Sequence, residues 1–227
     1  MKRKLSISIL LLSLALTPVF GENPFSFGYF FGFNNNSPSY DTPDTANTTV
    51  ELDGVSTMEM GLVFQYLIYL NNLKIGLDLD IAIRDMTADI TITQPSGSGV
   101  DPLTGEVPSE TSLISCTYDY LAISFIGKYY FMRFNTVEDF GIEPFAGFGL
   151  VPQFTLSSTD MNVGEDASSG LVFGIMLNLG AKVDLAKGFA IEPEVRYQLN
   201  LNSAESMDDV SLGFNNLFIL ASVKILL

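Results

Sequence analysis

Long stretches of this chain alternate with period two, and every charged residue on them falls on the same face. From Leu73 to Arg84 the odd positions are Leu73, Ile75, Leu77, Leu79, Ile81 and Ile83. The even positions are Lys74, Gly76, Asp78, Asp80, Ala82 and Arg84. Successive side chains of a strand point to opposite faces. One face of this ribbon is therefore wholly aliphatic, and the other is charged and small. A charged lining inside an apolar wall is the pattern of a β-barrel whose solvent is lipid.

Seven further segments repeat the arrangement: about 25–33, 57–69, 120–131, 140–154, 172–184, 189–200 and 217–227. The connections between the eight strands run long, short, long, short, long, short, long. Barrels of bacterial outer membranes have an even strand count, short turns at the periplasmic end and long loops at the other. The fold expected is thus all-β, an eight-stranded antiparallel up-and-down transmembrane barrel with both termini periplasmic and its long loops extracellular. Within the second long connection, Ile90-Thr91-Ile92-Thr93 can pair with 111–117 as a hairpin that extends past the membrane. Pro144 and Pro152 interrupt the fifth strand, each removing a ladder donor, and predict local bulges.

Alternation does not by itself say which face is inside. A lipocalin-type carrier also has eight strands, with the apolar face inward. Three features oppose that reading. The polar face is rich in glycine and small residues, unlike a water-facing exterior. Its charges balance: Glu59, Asp78, Asp80, Glu143, Glu192 and Glu194 against Lys74, Arg84, Lys128, Lys182, Arg196 and Lys224. Charges confined away from water need partners, because an isolated one is penalised by several kcal/mol. Finally, the four long loops contain no Lys or Arg but, counting Asp119 at the base of the second, hold 16 acids from Asp41 to Asp209. The two remaining bases, Arg133 and Lys187, fall in short turns. An uninterrupted apolar band on eight strands is an aggregation liability in water and the required surface in lipid.

Residues 1–21 read as a secretory signal peptide. Lys2, Arg3 and Lys4 precede the apolar run Leu5–Leu16, and Thr17-Pro18-Val19-Phe20-Gly21 leads to cleavage before Glu22. The barrel domain then covers 22–227. The mature chain carries eight bases and 26 acids, a net charge near −18, which excludes nucleic acid as a partner. The single cysteine, Cys116, cannot form an internal disulfide and reads as a small semi-buried side chain.

The absence of histidine removes Ser-His nucleophiles and His-ligated metals. Two adjacent carboxylate pairs on the lumen face, Asp78/Asp80 and Glu192/Glu194, have the residue types for acid–base work. With six bases on the same face, a structural ion network is the better reading, so no enzyme activity and no cofactor is expected. The segment from Asp160 to Asp166 places oxygen ligands Asp160, Asn162, Glu165 and Asp166 at near-alternate positions, as calcium loops do, and departs from the full EF-hand pattern.

The strand Tyr120-Leu121-Ala122-Ile123-Ser124-Phe125-Ile126-Gly127-Lys128-Tyr129-Tyr130-Phe131 resembles the Leu-x-Ile-Pro-x-x-x-Lys-Tyr strand of small bacterial outer-membrane barrels, with Ser124 in the proline's place. Pro144-Phe145-Ala146-Gly147-Phe148-Gly149 and Glu194-Val195-Arg196-Tyr197 resemble two further strands of that group. The chain is similar to the OmpA-transmembrane-domain and OmpX type, and most similar to the broad family that includes PorT-like proteins. The resemblance implies the architecture and an outer-membrane location. It implies outer-membrane lipid as the surroundings, and periplasmic chaperones and the barrel-assembly machinery as partners during biogenesis. It does not imply an activity. Two uses of the lumen follow from the residues. Six cations and six anions, with Phe30, Phe145, Met176 and Phe218, fill an eight-stranded interior and leave a rigid stem for surface display or adhesion. Alternatively the network leaves a narrow, weakly cation-preferring channel.

Overall fold

The computed structural model describes residues 24–41, 49–70, 73–95, 109–137, 140–160, 170–186, 188–202, 205–207 and 210–227. The expected signal peptide lies outside these residues. The strands are β1 (Phe25–Asp41), β2 (Thr49–Gly54), β3 (Ser56–Leu70), β4 (Leu73–Pro95), β5 (Ser109–Tyr130), β6 (Phe134–Val137), β7 (Phe140–Asp160), β8 (Leu171–Ala186), β9 (Phe189–Asn200), β10 (Glu205–Met207) and β11 (Val210–Leu226). Eight of them form the wall in the order β1-β3-β4-β5-β7-β8-β9-β11, each antiparallel to its neighbours. Strand β1 then pairs with β11 from Ser26↔Leu226 to Asp41↔Ser211 and closes the sheet on itself. Closure leaves the wall without free edges, which a structure in hydrocarbon requires. The short strands β2, β6 and β10 attach to β4, β7 and β11.

The charged face is the inner one. Leu179 is 65% exposed and Ile219 60%, whereas Lys182 is 1% and Lys224 0% exposed. Phe125, Phe131, Phe148, Leu177 and Ile225 extend the apolar exterior around the circumference. On β4 the outward residues Leu73–Ile83, at ~3.3 Å per residue and a tilt of ~40°, stand ~25 Å tall. That matches the apolar band of a membrane barrel. A lipocalin-type carrier has the reverse arrangement.

At the loop end the two faces exchange character. Beyond Arg84 the outward residues of β4 become Asp85, Thr87, Asp89 and Thr91, and the inward ones become Met86, Ala88 and Ile90, all buried. Strand β5 does the same: Asp119, Thr117 and Ser115 face out, while Tyr120, Tyr118 and Cys116 face in. These inward side chains join Val172 and Phe214 in one apolar cluster, against which Leu52 and Ile92 pack. One continuous ribbon is therefore built for lipid outside and ions inside along most of its length, and for water outside and an oily core above. The expected hairpin is present, pairing Ile90↔Ile114 to Thr93↔Thr111. The strands are longer at this end than the alternation of the membrane band alone predicts, because β1 runs on to Asp41 and β7 to Asp160.

The bulges expected at Pro144 and Pro152 are absent. The β7–β8 register runs unbroken from Gly141↔Asp184 to Phe154↔Leu171. A proline deletes one donor without lengthening the chain, so register survives where the other neighbour still pairs. Pairing with β5 lapses between Ala122↔Gln153 and Phe125↔Leu150, beside Pro152, and resumes in step. The irregularity of β7 sits higher, where Asp119 meets Ser157 and Tyr120 meets Thr155. At the turn end, β8 and β9 are joined through Gly188, whose φ of 81° lies in the left-handed region that only glycine enters freely.

The placement of the apolar band makes a test. Leu179→Arg, at mid-height on the outside, should destabilise the barrel by about 2–4 kcal/mol in lipid vesicles. Thr91→Arg, outward but above the band, should stay within about 0.5 kcal/mol. Denaturant titration of both variants checks it, and equal costs would refute the assignment of the band.

Candidate functional site

Seven of the eight wall strands contribute charge to the lumen by parity alone, and β1 lines it with Ser26, Phe30, Asn34, Asn36 and glycines. Positions 74, 78, 80 and 84 on β4 share a face, as do 192, 194 and 196 on β9. Closure of the barrel then brings these faces together across the lumen. All twelve charged residues predicted for the lumen point into it and pair there with a group of opposite charge.

At its centre four of them form a closed ring of alternating sign. Lys128 Nζ lies 2.9 Å from Asp78 Oδ2 and 3.0 Å from Glu192 Oε2. Lys224 Nζ lies 3.2 Å from the same Asp78 oxygen and 2.7 Å from the same Glu192 oxygen. The four belong to β4, β5, β9 and β11, so the ring ties opposite sides of the wall. Lys128 also reaches Glu194 at 3.2 Å, which links the ring to a second group. There Arg196 bridges Glu194 at 2.5 Å and Asp80 at 2.6 Å, and Asn178 Nδ2 donates to Glu194 at 3.1 Å. Towards the loop end, Arg84 pairs with Glu59 at 3.0 Å and donates to Gln198 Oε1 at 2.6 Å.

At the turn end, Lys74 contacts Glu143 at 2.5 Å and Lys182 contacts Asp184 at 3.0 Å. Arg133 reaches both carboxylates, Glu143 at 3.7 Å and Asp184 at 3.1 Å. Sequence alternation leaves Arg133 in a turn and Asp184 at the last position of its segment, where the turn begins, and the structure adds both to the lumen network. Asp184 has the parity of Lys182, which is the one signal in the sequence that points to it. With these two added, seven acids and seven bases balance within the described lumen.

Aromatic and amide side chains complete the packing. Gln65 Nε2 donates to Asp78 Oδ1 at 2.7 Å and to Tyr130 Oη at 2.8 Å, and Tyr130 Oη donates to Glu192 Oε1 at 3.1 Å. Lys128 lies 4.4 Å from the ring centre of Phe145, Arg84 4.7 Å from that of Phe218, and Arg196 5.4 Å from that of Phe30. Desolvated cations over aromatic faces contribute on the order of 1–2 kcal/mol each. The glycines on this face make the room. A Cβ at Gly180 would meet the Phe145 ring at 2.6 Å and Glu194 Cβ at 2.8 Å. A Cβ at Gly76 would crowd the Tyr130 ring at 3.0 Å. Parity places Gln65 and Gln198 on the lumen face in the sequence, but says nothing about which charge each would serve.

The chemistry open to this arrangement is narrow. The carboxylate pairs singled out for acid–base work are each held by cations, Asp78 by two lysines, Asp80 by Arg196, Glu192 by two lysines and Glu194 by Lys128 and Arg196. Among the described residues no group of His, Cys, Asp or Glu has metal-binding geometry. The calcium-loop candidate falls outside what can be described: Asn162, Glu165 and Asp166 lie beyond the described residues, as does the Asp160 side chain. Cys116 is buried and in no disulfide.

No family model matches the chain, and no curated protein matches it in sequence. Solved structures match it in shape. The outer membrane protein OprG from Pseudomonas aeruginosa aligns over 91% of this chain and 99% of its own, at 17% identity and a TM-score of 0.51. The chain has the fold of the small outer-membrane β-barrels. Neisserial surface protein A is similar at 11% identity and a TM-score of 0.44, covering 91% of this chain and 99% of its own. AlkL, solved in DMPC lipid bilayers, is similar at 14% identity and 0.45, covering 93% and 94%.

The lumen of this barrel predicts a sharp contrast between two arginines. Arg196→Leu strands Asp80 without water and leaves Glu194 to Lys128 and Asn178 alone, and should destabilise by about 3–5 kcal/mol. Arg133→Leu, at a mouth where the arginine is 34% exposed and solvent screens its pairs, should lose about 1 kcal/mol or less. Urea titrations of the two variants in the same detergent give the comparison, and similar losses would show that the lumen is wet.

Proposed function

We propose that this protein is a non-catalytic barrel of a bacterial outer membrane, with a lumen sealed by ion pairs, that serves as a rigid stem for surface display or adhesion through its acidic loops. The observation that carries this reading is the burial of the central ring. The side chains of Asp78, Lys128, Glu192 and Glu194 have 0% exposure and that of Lys224 has 1%. A water-filled path past these groups would leave part of their surface exposed. Phe30, Phe145, Met176 and Phe218, each 0–1% exposed, occupy the remaining space. An eight-stranded barrel has just enough interior for its own side chains.

The orientation follows from the connections. Short turns join β3 to β4 and β8 to β9, and short turns are periplasmic in such barrels. The water-adapted extensions of β4 and β5 then project from the cell. Their outward faces carry Asp85, Asp89 and Asp119, and the adjoining β2 adds Glu51 and Asp53, without a basic residue among them. The long loops continue the same sign. A surface of this charge favours cationic partners and repels anionic ones. Membrane lipid surrounds the band, and the periplasmic chaperones and assembly machinery that serve such barrels deliver it. The lack of histidine, together with lumen carboxylates that are neutralised by cations, supports the absence of catalysis.

Conductance separates this reading from a narrow cation-preferring channel. Purified protein in planar bilayers should give no discrete steps across the voltage range that the bilayer withstands. Reproducible single-channel openings would replace the sealed stem with the channel.

A further inference from the structure

Between the ion pairs and the apolar core of the loop end lies a layer of carboxamides. It is contributed by Asn34 and Asn36 of β1, Gln153 of β7, Gln198 and Asn200 of β9, and Asn216 of β11, all inward. In four of them the amide nitrogen is already engaged, Gln198 Nε2 donating to Asn200 Oδ1 at 2.6 Å. Asn36 Nδ2 donates to the Val55 carbonyl at 3.1 Å, and Gln153 Nε2 donates to Asn200 Oδ1 at 3.0 Å. Asn216 Nδ2 points at Met86 Sδ at 4.0 Å. Turning any of these amides over would set its oxygen against another acceptor. The oxygens of Asn36, Gln153 and Asn216 are therefore the atoms left over, and none accepts a hydrogen bond. The same holds for Asn34 Oδ1 and for Glu59 Oε2. All five side chains are 0–2% exposed. Against these five acceptors the amide layer holds one unpaired donor, Asn34 Nδ2, and buried acceptors in that excess need a guest that supplies positive charge.

Four of the five residues lie on one stretch of wall, made by β11, β1 and β3. Asn36 and Asn216 are register partners across β1 and β11. Asn34 lies two residues along the same face of β1, and Glu59 sits opposite Gly32, one step further. We propose that Asn34, Asn36, Asn216 and Glu59 form a binding site for a dehydrated monovalent cation of about sodium's size. Hard cations take carboxamide and carboxylate oxygens as ligands. Charge selects the valence. Glu59 is already neutralised by Arg84 and the amides are neutral, so a divalent ion would bring two uncompensated charges into a dry layer, and a monovalent ion brings one. Tightness selects the size. The free oxygens have no open surface on which a water molecule could rest, and a small cation draws oxygens closer than a hydrogen-bonded water does. The ceiling of Met86, Tyr118, Tyr120 and Phe214 keeps the layer dry. The site lies above the central ring and stands whether or not the lumen conducts.

The test uses the full mature barrel folded in detergent. Its thermal midpoint is measured in the chlorides of sodium, potassium and N-methylglucamine at one ionic strength. Sodium should raise the midpoint by several degrees over N-methylglucamine, with potassium between them. Equal midpoints in all three salts would overturn the site. Asn34→Leu gives the second arm, because the Asn34 side chain makes no hydrogen bond whose loss could unfold the protein. This variant should lose the sodium response and match or exceed the wild type in N-methylglucamine. A variant that keeps the full sodium response would also overturn the proposal. Asn178→Leu, which alters a lumen amide below the layer, should retain the response.

Discussion

A charge in a lumen that excludes water has to meet an opposite charge, and that requirement organises the rest of this barrel. The partners lie on strands that are not neighbours: Asp78 on β4 meets Lys224 on β11, and Glu194 on β9 meets Lys128 on β5. Such contacts form only when every intervening pair of strands is in register. A one-residue slip of β9 would turn Glu192, Glu194 and Arg196 outward into hydrocarbon and carry Ile191, Val195 and Tyr197 inward. The lipid on one side and the ion pairs on the other therefore enforce the same pairing, and the two penalties for a slip add.

Ion pairs of this kind are not the most stabilising way to fill a core. Buried pairs can be replaced by well-packed apolar side chains without loss, whereas removing one partner is severe. The network is better understood as a device of specificity. Lys128 answers to three carboxylates and Arg196 to two, and amide and phenol groups take up further lone pairs around the ring. Networks satisfied in this way hold one arrangement against many near alternatives. The glycines belong to the same device. Gly180 and Gly76 leave the space in which Phe145 and Tyr130 lie against the ring, and the large and small residues of facing strands interlock.

Alternation along all eight ribbons, with charges on one face of seven of them, makes the strand count, the inward face and the twelve charged lumen residues legible in the amino-acid sequence. The reasons for the misses are equally physical. Periodicity shows which face a residue is on but not how high it sits across a tilted, sheared wall. The ring of Asp78, Lys128, Glu192 and Lys224 therefore cannot be read from it as a ring. Arg133 and Asp184 look like turn residues because the apolar alternation ends beside them, yet long side chains at a mouth fold back into it. The extensions beyond Arg84 escape for a different reason. There the alternation persists with its meaning reversed, so Asp85-Met86-Thr87-Ala88 looks like a polar loop to a reader who expects apolar residues outside. The prolines mislead in the opposite sense, since a missing donor breaks a bond without shifting a register.

The same alternation matters before the barrel forms. A core filled with leucine instead of ions would turn each strand into a continuous apolar run, and in strands this long such runs approach the length that spans a membrane as a helix. With Asp, Glu, Lys and Arg spaced along the inward positions, the mean hydropathy is only +0.30 although 47% of residues are hydrophobic. The continuous apolar surface exists only once eight strands have closed around their ions. Folding and membrane affinity are thereby one event, in which pairing the charges inside creates the hydrocarbon-facing surface outside.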